Sequence, residues 1–187
     1  MSSPASESDR FGLRKVSLEY PDRMNPDDGP TLIAFDGSAA ARQAVAAAAA
    51  LLKPRVTLVL TVWEAALAHA AVAPPPDVAM TPAVDPATML TFDEALRGRA
   101  ERVANDGAEL ARSLGLDAEP VAIADVSDIA RTIAETAREH HAAAIVVGSR
   151  GLSGLRARFE GSTSKAVVKH ASCPVVVVHD AGEEEPD

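Results

Sequence analysis

Five short apolar runs alternate along the chain with segments in which apolar residues recur at helical spacing. The apolar runs are rich in valine and other β-branched residues, and each has the length of a buried strand. They lie at residues 31–35, 55–63, 117–124, 143–148 and 174–179. The segments with helical character lie at residues 39–53, 92–114, 128–141 and 163–171. The pattern therefore predicts strands that are separated by helices.

This alternation favours a parallel sheet, because a helical crossover returns the chain to the end of the sheet from which the next strand starts. We predict an α/β fold, a doubly wound five-stranded parallel sheet with strand order 3-2-1-4-5 and helices on both faces. Residues 30–180 are expected to form a single domain. Residues 1–29 lack a sustained period and are expected to be a flexible N-terminal extension, and residues 181–187 an acidic tail.

Local signals mark where the helices begin and end. Ser38 and Ser127 are placed as N-caps of the first and third helices, while Pro54 and Gly115 end the first and second. The Pro-rich segment from Ala65 to Leu90 is predicted to be a loop, long enough to act as a lid or a partner surface.

Composition narrows the classes of partner and compartment. The chain has 187 residues and a formal net charge of −9, which disfavours binding to nucleic acid or to an anionic membrane. Its one cysteine, Cys173, excludes an intramolecular disulfide and fits a reducing compartment. No signal peptide is recognised, and no apolar run reaches the roughly 18 to 20 residues of a membrane span. We expect a soluble cytoplasmic protein.

Unusual chemistry follows the first and fourth predicted strands, which border the point where the assumed strand order reverses. Asp36 closes the first strand, where a carboxylate can accept from a ribose hydroxyl or an exocyclic amine. After the fourth strand, Gly148 and Gly151 are expected to turn the chain with positive φ and to bring backbone N–H groups close to a ligand. The run Gly161 to Ser164 opens the fourth helix, where unpaired N–H groups and the hydroxyls of Ser162 and Ser164 favour phosphate.

These two segments resemble those of a known family. One segment is similar to the ATP-binding signature of the universal stress protein family. It consists of GSRG at residues 148–151, nine further residues, and then the pair Gly161 and Ser162. TLIAFDGSAAARQAV resembles that family's first strand and turn, and CPVVVVH its last strand. The resemblance covers about residues 30–180. One departure is ADVSD at 124–128, where the family often has a Gly-x-Pro turn; another is Glu160, which places a negative charge beside the phosphate site.

The resemblance implies a nucleotide-binding protein with a Rossmann-like fold, which binds ATP with Mg²⁺, responds to stress and forms a homodimer through its final strand. It implies adenine and ribose contacts from Ala34, Asp36 and Val62. It implies phosphate contacts from Gly148, Arg150, Gly151, Gly161, Ser162, Thr163 and Ser164.

Other interpretations of the same residues stay open. Asp36 can serve only to order its turn, and the glycines can be simple turn residues. No P-loop, dinucleotide fingerprint, nucleophile elbow or metal motif is present, so we expect no catalytic residue or bound metal site, and at most slow ATP hydrolysis. The alternatives are a dimeric interaction module with a vestigial nucleotide site and, with less support, an adenylate-transferring enzyme of related fold.

Overall fold

The computed structural model describes residues 29–53, 55–65, 86–125, 128–149 and 162–179. Strands and helices alternate throughout these ranges. The strands are β1 Thr31–Ala34, β2 Val56–Glu64, β3 Asp117–Asp125, β4 Ala144–Gly148 and β5 Val175–Val178. The helices, in chain order, are α1 Ala39–Leu51, α2 Pro86–Ser113, α3 Ile129–Glu139 and α4 Ser162–His170. Within the described ranges, no helix has both the length and the apolar character to cross a membrane.

The strands form one five-stranded parallel sheet with the order β3-β2-β1-β4-β5. This confirms the predicted fold class and strand order. The shortest strands, β1 and β5, differ in position: β1 lies at the centre, where Ile33 pairs with Val59 on one side and Val146 on the other. β5 lies at one edge and β3 at the other. Pro120 is tolerated in β3 because an edge strand has no ladder partner on its outer side.

Alternate residues of the central strand face two different helical layers. Ile33 and Phe35 belong to a core that they share with α1 and α2, whereas Leu32 and Ala34 belong to a core that they share with α3 and α4. Alanine supplies most of the buried helical surface; α1 buries Ala40, Ala41, Ala44, Val45 and Ala48. Such small side chains let the helices lie close to the sheet, which explains how a core with few aromatic residues packs tightly.

Helix α2 begins at Pro86, so the prediction of a loop as far as Leu90 was wrong for its last residues. Proline suits the first turn of a helix, because the N–H that it lacks would have no partner inside the helix there. Residues 66–85 lie outside the described residues, and the lid or partner surface stays a prediction. The predicted stop is confirmed: Gly115 has φ 88°, and the N–H of Leu116 donates to the carbonyl of Ala111.

The predicted cap of α1 is confirmed, whereas the end of α1 and the cap of α3 differ from the predictions. Ser38 caps α1, since its Oγ accepts from the N–H of Ala41 at 3.1 Å. Helix α1 ends at Leu51, ahead of the predicted stop at Pro54. The cap of α3 is Asp128, whose Oδ1 accepts from Ala130 N–H at 2.9 Å, and not Ser127, which lies outside the described residues. A carboxylate caps as well as a hydroxyl and adds a favourable charge at the helix N-terminus.

Candidate functional site

The candidate site lies at the carboxyl edge of the sheet, between the ends of β1 and β4. From β1 the chain continues towards β2 on one side, while β4 and β5 lie on the other side. The strand order therefore reverses between β1 and β4, as predicted. At such a point the two adjoining loops diverge towards opposite faces and leave a crevice, which is where open α/β sheets bind ligands.

The turn from β1 into α1 is held by several short hydrogen bonds. Phe35 donates its N–H to the carbonyl of Leu60 at 2.8 Å, and its own carbonyl accepts from Thr61 Oγ1 at 2.8 Å. Asp36 Oδ1 then accepts from Ser38 N–H at 2.9 Å, across Gly37, which has φ 80°. Asp36 thus orders its turn. A carboxylate has acceptor capacity beyond one bond, so this role and contact with a ligand are compatible.

Gly148 brings the end of β4 against the start of α1. A Cβ at Gly148 would lie 2.8 Å from both the carbonyl carbon and the carbonyl oxygen of Ala40. Among the described glycines only Gly37 and Gly115 have positive φ, so the expectation of positive φ at Gly148 was wrong. The residue is a glycine because two pieces of backbone approach each other here. The end of β4 therefore lies against the first turn of α1.

An apolar surface lies on the face of the sheet that α3 and α4 cover. Ala34, 8% exposed, and the partly buried Val62 both pack into the core of that face. Ala34 and Leu60 form the last pair of the β1–β2 ladder, and Asp36 and Val62 each lie two residues beyond that pair along their own segments. The three residues for which the resemblance implies adenine and ribose contacts therefore all lie near the carboxyl ends of β1 and β2.

The phosphate side of the site is described only in part. Helix α4 begins at Ser162, of which the structure describes the backbone; Thr163 is partly buried, and Ser164 is 6% exposed. Such a nine-residue helix has its positive dipole end here, and a helix N-terminus favours phosphate. Arg150, Gly151, Glu160 and Gly161 lie outside the described residues, so their contacts with phosphate remain predictions.

Three polar residues at this edge were not singled out from the sequence. Thr61 holds the Phe35 carbonyl. Ser149 is buried, and its N–H donates to the Val178 carbonyl at 2.8 Å. Asp125, 4% exposed, accepts from Asp128 N–H at 3.0 Å and from Thr132 Oγ1 at 2.8 Å.

Asp125 orders the turn in which ADVSD stands in place of Gly-x-Pro. Its sequence signal resembles that of Asp36, because each aspartate directly follows an apolar run. The departure from the family pattern therefore occurs in a turn that is organised by a buried carboxylate.

Two titratable groups with shifted pKa values lie away from this edge. His140 follows the last residue of α3, and burial lowers its pKa from the ordinary 6.5. Cys173 precedes β5, and burial raises the pKa of its thiol. Both are at the amino edge of the sheet. Among the residues that the structure describes, no group of three or more His, Cys, Asp or Glu side chains is placed to hold a metal ion.

Comparison with known proteins gives a family match over most of the chain. The description "Universal stress protein family" belongs to the family model that matches residues 30–179. A Thermus aquaticus protein, "Universal stress protein in QAH/OAS sulfhydrylase 3′ region", is 33% identical over 147 residues, which are 79% of this chain and 96% of the relative. The Na⁺/H⁺ antiporter NhaS5 of Synechocystis is 43% identical over 81 residues, which are 43% of this chain and only 12% of the antiporter.

Solved structures share the fold at low sequence identity. Universal stress protein UspA from Lactobacillus plantarum has a TM-score of 0.61 at 20% identity, over 82% of this chain and 99% of its own. The Archaeoglobus fulgidus protein in complex with dAMP has a TM-score of 0.52 at 21% identity, over 80% and 97%. An Arabidopsis thaliana protein with AMP bound has a TM-score of 0.54 at 17% identity, over 85% and 96%.

Proposed function

The chain belongs to the universal stress protein family, and we propose that it is an ATP-binding regulator of a stress response. The nucleotide is held between the loops that follow β1 and β4. The observation that carries this proposal is the close approach of Gly148 to Ala40, which brings the end of β4 against the first turn of the helix that follows the Asp36 turn. The adenine nucleotides bound to two proteins of the same fold, AMP and dAMP, support the ligand class.

The residues at the carboxyl edge fit the parts of an adenine nucleotide. Ala34 and Val62 give an apolar surface on which a planar base can rest, and Asp36 gives an acceptor for a ribose hydroxyl. Asp36 and Val62 each follow the last β1–β2 pair by two residues, so the base and the ribose are recognised at the same edge of the sheet.

Phosphate recognition is assigned to the loop after β4 and to the start of α4. In this proposal the contacts come from Gly148, Arg150, Gly151, Gly161, Ser162, Thr163 and Ser164. Backbone N–H groups and the positive end of the α4 dipole attract phosphate, and Arg150 adds a full charge. The chain as a whole is negative, at −9, so this local positive region has to provide the attraction.

Mg²⁺ enters the proposal with the ATP. Bound with ATP, the ion would neutralise part of the phosphate charge. We assign no catalytic residue: the site binds and orients a nucleotide, and hydrolysis is expected to be slow at most. The regulator would therefore respond to whether nucleotide is bound rather than to rapid turnover.

A direct test is ATP titration of nucleotide-free protein, followed by the fluorescence of Trp63, the single tryptophan, which lies near the carboxyl end of β2. Gly161→Val should abolish binding, because it puts a side chain where a phosphate approaches. Gly98→Val is the matched control, since a Cβ at Gly98 has no neighbour nearer than 3.6 Å. Undiminished ATP affinity in folded Gly161→Val protein would contradict the proposal.

A second candidate function is supported by β5, the last strand on its side of the described sheet. β5 is an edge strand whose four valines are only partly buried, and Val168 on the adjoining helix α4 is 53% exposed. We propose that two copies pair through β5, in a dimer that would serve as an interaction module even with a vestigial nucleotide site. A monomer in sedimentation at micromolar concentration would contradict the dimer.

The cytoplasm is the compartment that we propose for this regulator. A chain with one cysteine cannot form an intramolecular disulfide, and it fits a reducing environment. Cell fractionation with an antibody to the native chain tests the location, and recovery in a membrane or extracellular fraction would contradict it.

A further inference from the structure

Thr61 is one of two buried threonines in the mostly apolar strand β2. Only 6% of it is exposed, and its Oγ1 donates to the carbonyl of Phe35 at 2.8 Å. The N–H of Phe35 is bound as well, to the Leu60 carbonyl at 2.8 Å. Both backbone groups of the residue that precedes Asp36 are therefore held by β2.

The Thr61 hydroxyl takes the place of a backbone donor. The paired register of β1 with β2 ends at Ala34 and Leu60, so the Phe35 carbonyl lies just past the ladder. A buried carbonyl without a donor is costly. The side chain of Thr61 satisfies this carbonyl, and β1 can leave the sheet at Asp36 without losing a hydrogen bond.

The bond also orients the next residue. A peptide unit is planar, so the Phe35 carbonyl lies in one plane with the backbone nitrogen and Cα of Asp36. The Phe35 ring, 2% exposed, is fixed below by α2, since a Cβ at Gly107 would lie only 2.6 Å from its Cδ1. The peptide plane between Phe35 and Asp36 is thus held by the Thr61 hydroxyl of β2 and by the buried Phe35 ring.

We propose that Thr61 is a positioning residue for nucleotide recognition. Its hydroxyl fixes the peptide plane of Asp36, so that the carboxylate already faces the ribose before the nucleotide arrives. The inference rests on the proposed function, because it assigns to Thr61 the orientation of a residue in that site. Thr61 itself does not contact the nucleotide.

The test compares two buried threonines of the same strand. Thr61→Val keeps the shape and removes the hydroxyl, and we expect it to weaken ATP binding about three- to tenfold, the worth of one such hydrogen bond. Thr57→Val is the matched control: Thr57 is 1% exposed and its Oγ1 donates to the Arg55 carbonyl at 3.3 Å, at the opposite edge of the sheet. The control should bind ATP like the wild type. Thr61→Ser keeps the hydroxyl and should restore affinity.

Two readouts separate positioning from a general loss of stability. The effect of Thr61→Val should be small for 2′,3′-dideoxy-ATP, which has no ribose hydroxyl for Asp36 to accept from. It should also shrink when Asp36→Asn is already present, because both changes remove the same interaction. Asparagine keeps an oxygen that can accept from Ser38, so the turn is preserved.

The outcomes distinguish this inference from the proposed function. If wild-type protein binds no adenine nucleotide, the proposed function fails and the inference with it. If the wild type binds and Asp36→Asn weakens binding, but Thr61→Val matches Thr57→Val, only the inference is overturned. Equal losses for ATP and dideoxy-ATP, or additive effects with Asp36→Asn, would overturn it too. If valine prevents folding, Thr61→Ala against Thr57→Ala gives the same comparison.

Discussion

Gly107 lies where helix α2 packs on Phe35 and Val59, and replacing it with alanine tests how tightly this alanine-rich core is packed. A Cβ at Gly107 would lie 2.6 Å and 2.8 Å from the Phe35 ring carbons and 2.8 Å from Val59 Cγ1. Phe35 is 2% exposed and Val59 is fully buried, so neither side chain can swing into solvent to make room. The helix or the ring has to shift.

Two opposing effects set the size of the change. In an open helical position, glycine to alanine stabilises by about 1 kcal/mol, because alanine has the better helix propensity. Overpacking a close-packed site by one methyl group costs about 1 to 3 kcal/mol. The net expectation for Gly107→Ala is therefore a loss of about 0 to 2 kcal/mol in the free energy of unfolding, by the difference of these two figures.

Gly98→Ala measures the propensity effect by itself. Gly98 is in the same helix, and its nearest neighbour would be the flexible end of Arg102 at 3.6 Å, so this variant should gain about 1 kcal/mol. Both variants are unfolded in urea and followed by far-UV circular dichroism and Trp63 fluorescence. The structure predicts that Gly107→Ala is less stable than Gly98→Ala by about 1 to 3 kcal/mol, with similar m values. Equal stability of the two variants would refute the packing described for α2.

Three further predictions concern other parts of the chain. Gly148→Ala should lower the free energy of unfolding by about 1 to 3 kcal/mol and weaken ATP binding, because its Cβ would meet the backbone of Ala40. Urea unfolding measures the first effect and calorimetry the second, and unchanged stability would contradict the close approach. Burial lowers the pKa of His140, so at pH values near and below 6.5 the unfolded chain binds more protons than the folded chain, and the free energy of unfolding should fall as the pH falls. In urea titrations between about pH 7 and 5.5, the free energy of unfolding of His140→Gln should depend less steeply on pH than that of the wild type. An unchanged pH dependence would contradict this. Burial raises the pKa of Cys173, so iodoacetamide should alkylate it more slowly at about pH 8 in the folded protein than in urea; equal rates would contradict this.

The fold was predictable from the sequence because its signals are local. Each strand is a short β-branched run, and each helix has helical spacing with a cap or a stop. The strand order was an assumption about fold type, and the pairing of β1 with both β2 and β4 confirms it. The start of α2 was missed because proline marks loops and also begins helices, and the sequence alone does not distinguish the two uses.

The candidate site was predictable only where its chemistry lies in one stretch of chain. Asp36 could be identified from the sequence because it directly follows an apolar run. Gly148 was singled out for a positive φ that it does not have; its special feature is the close approach to Ala40, which is far away in the sequence. The same holds for Thr61, whose partner Phe35 is 26 residues away and leaves no local pattern. Contacts across the sheet become visible only when the strands are placed side by side.

Calorimetric titration of nucleotide-free protein with ATP and Mg²⁺ tests the central claim most directly. The account predicts saturable binding near one ATP per chain, with weaker binding in Asp36→Asn and wild-type behaviour in Thr57→Val. Protein that is folded by circular dichroism and yet gives no binding signal at several temperatures and concentrations would contradict the nucleotide site between β1 and β4.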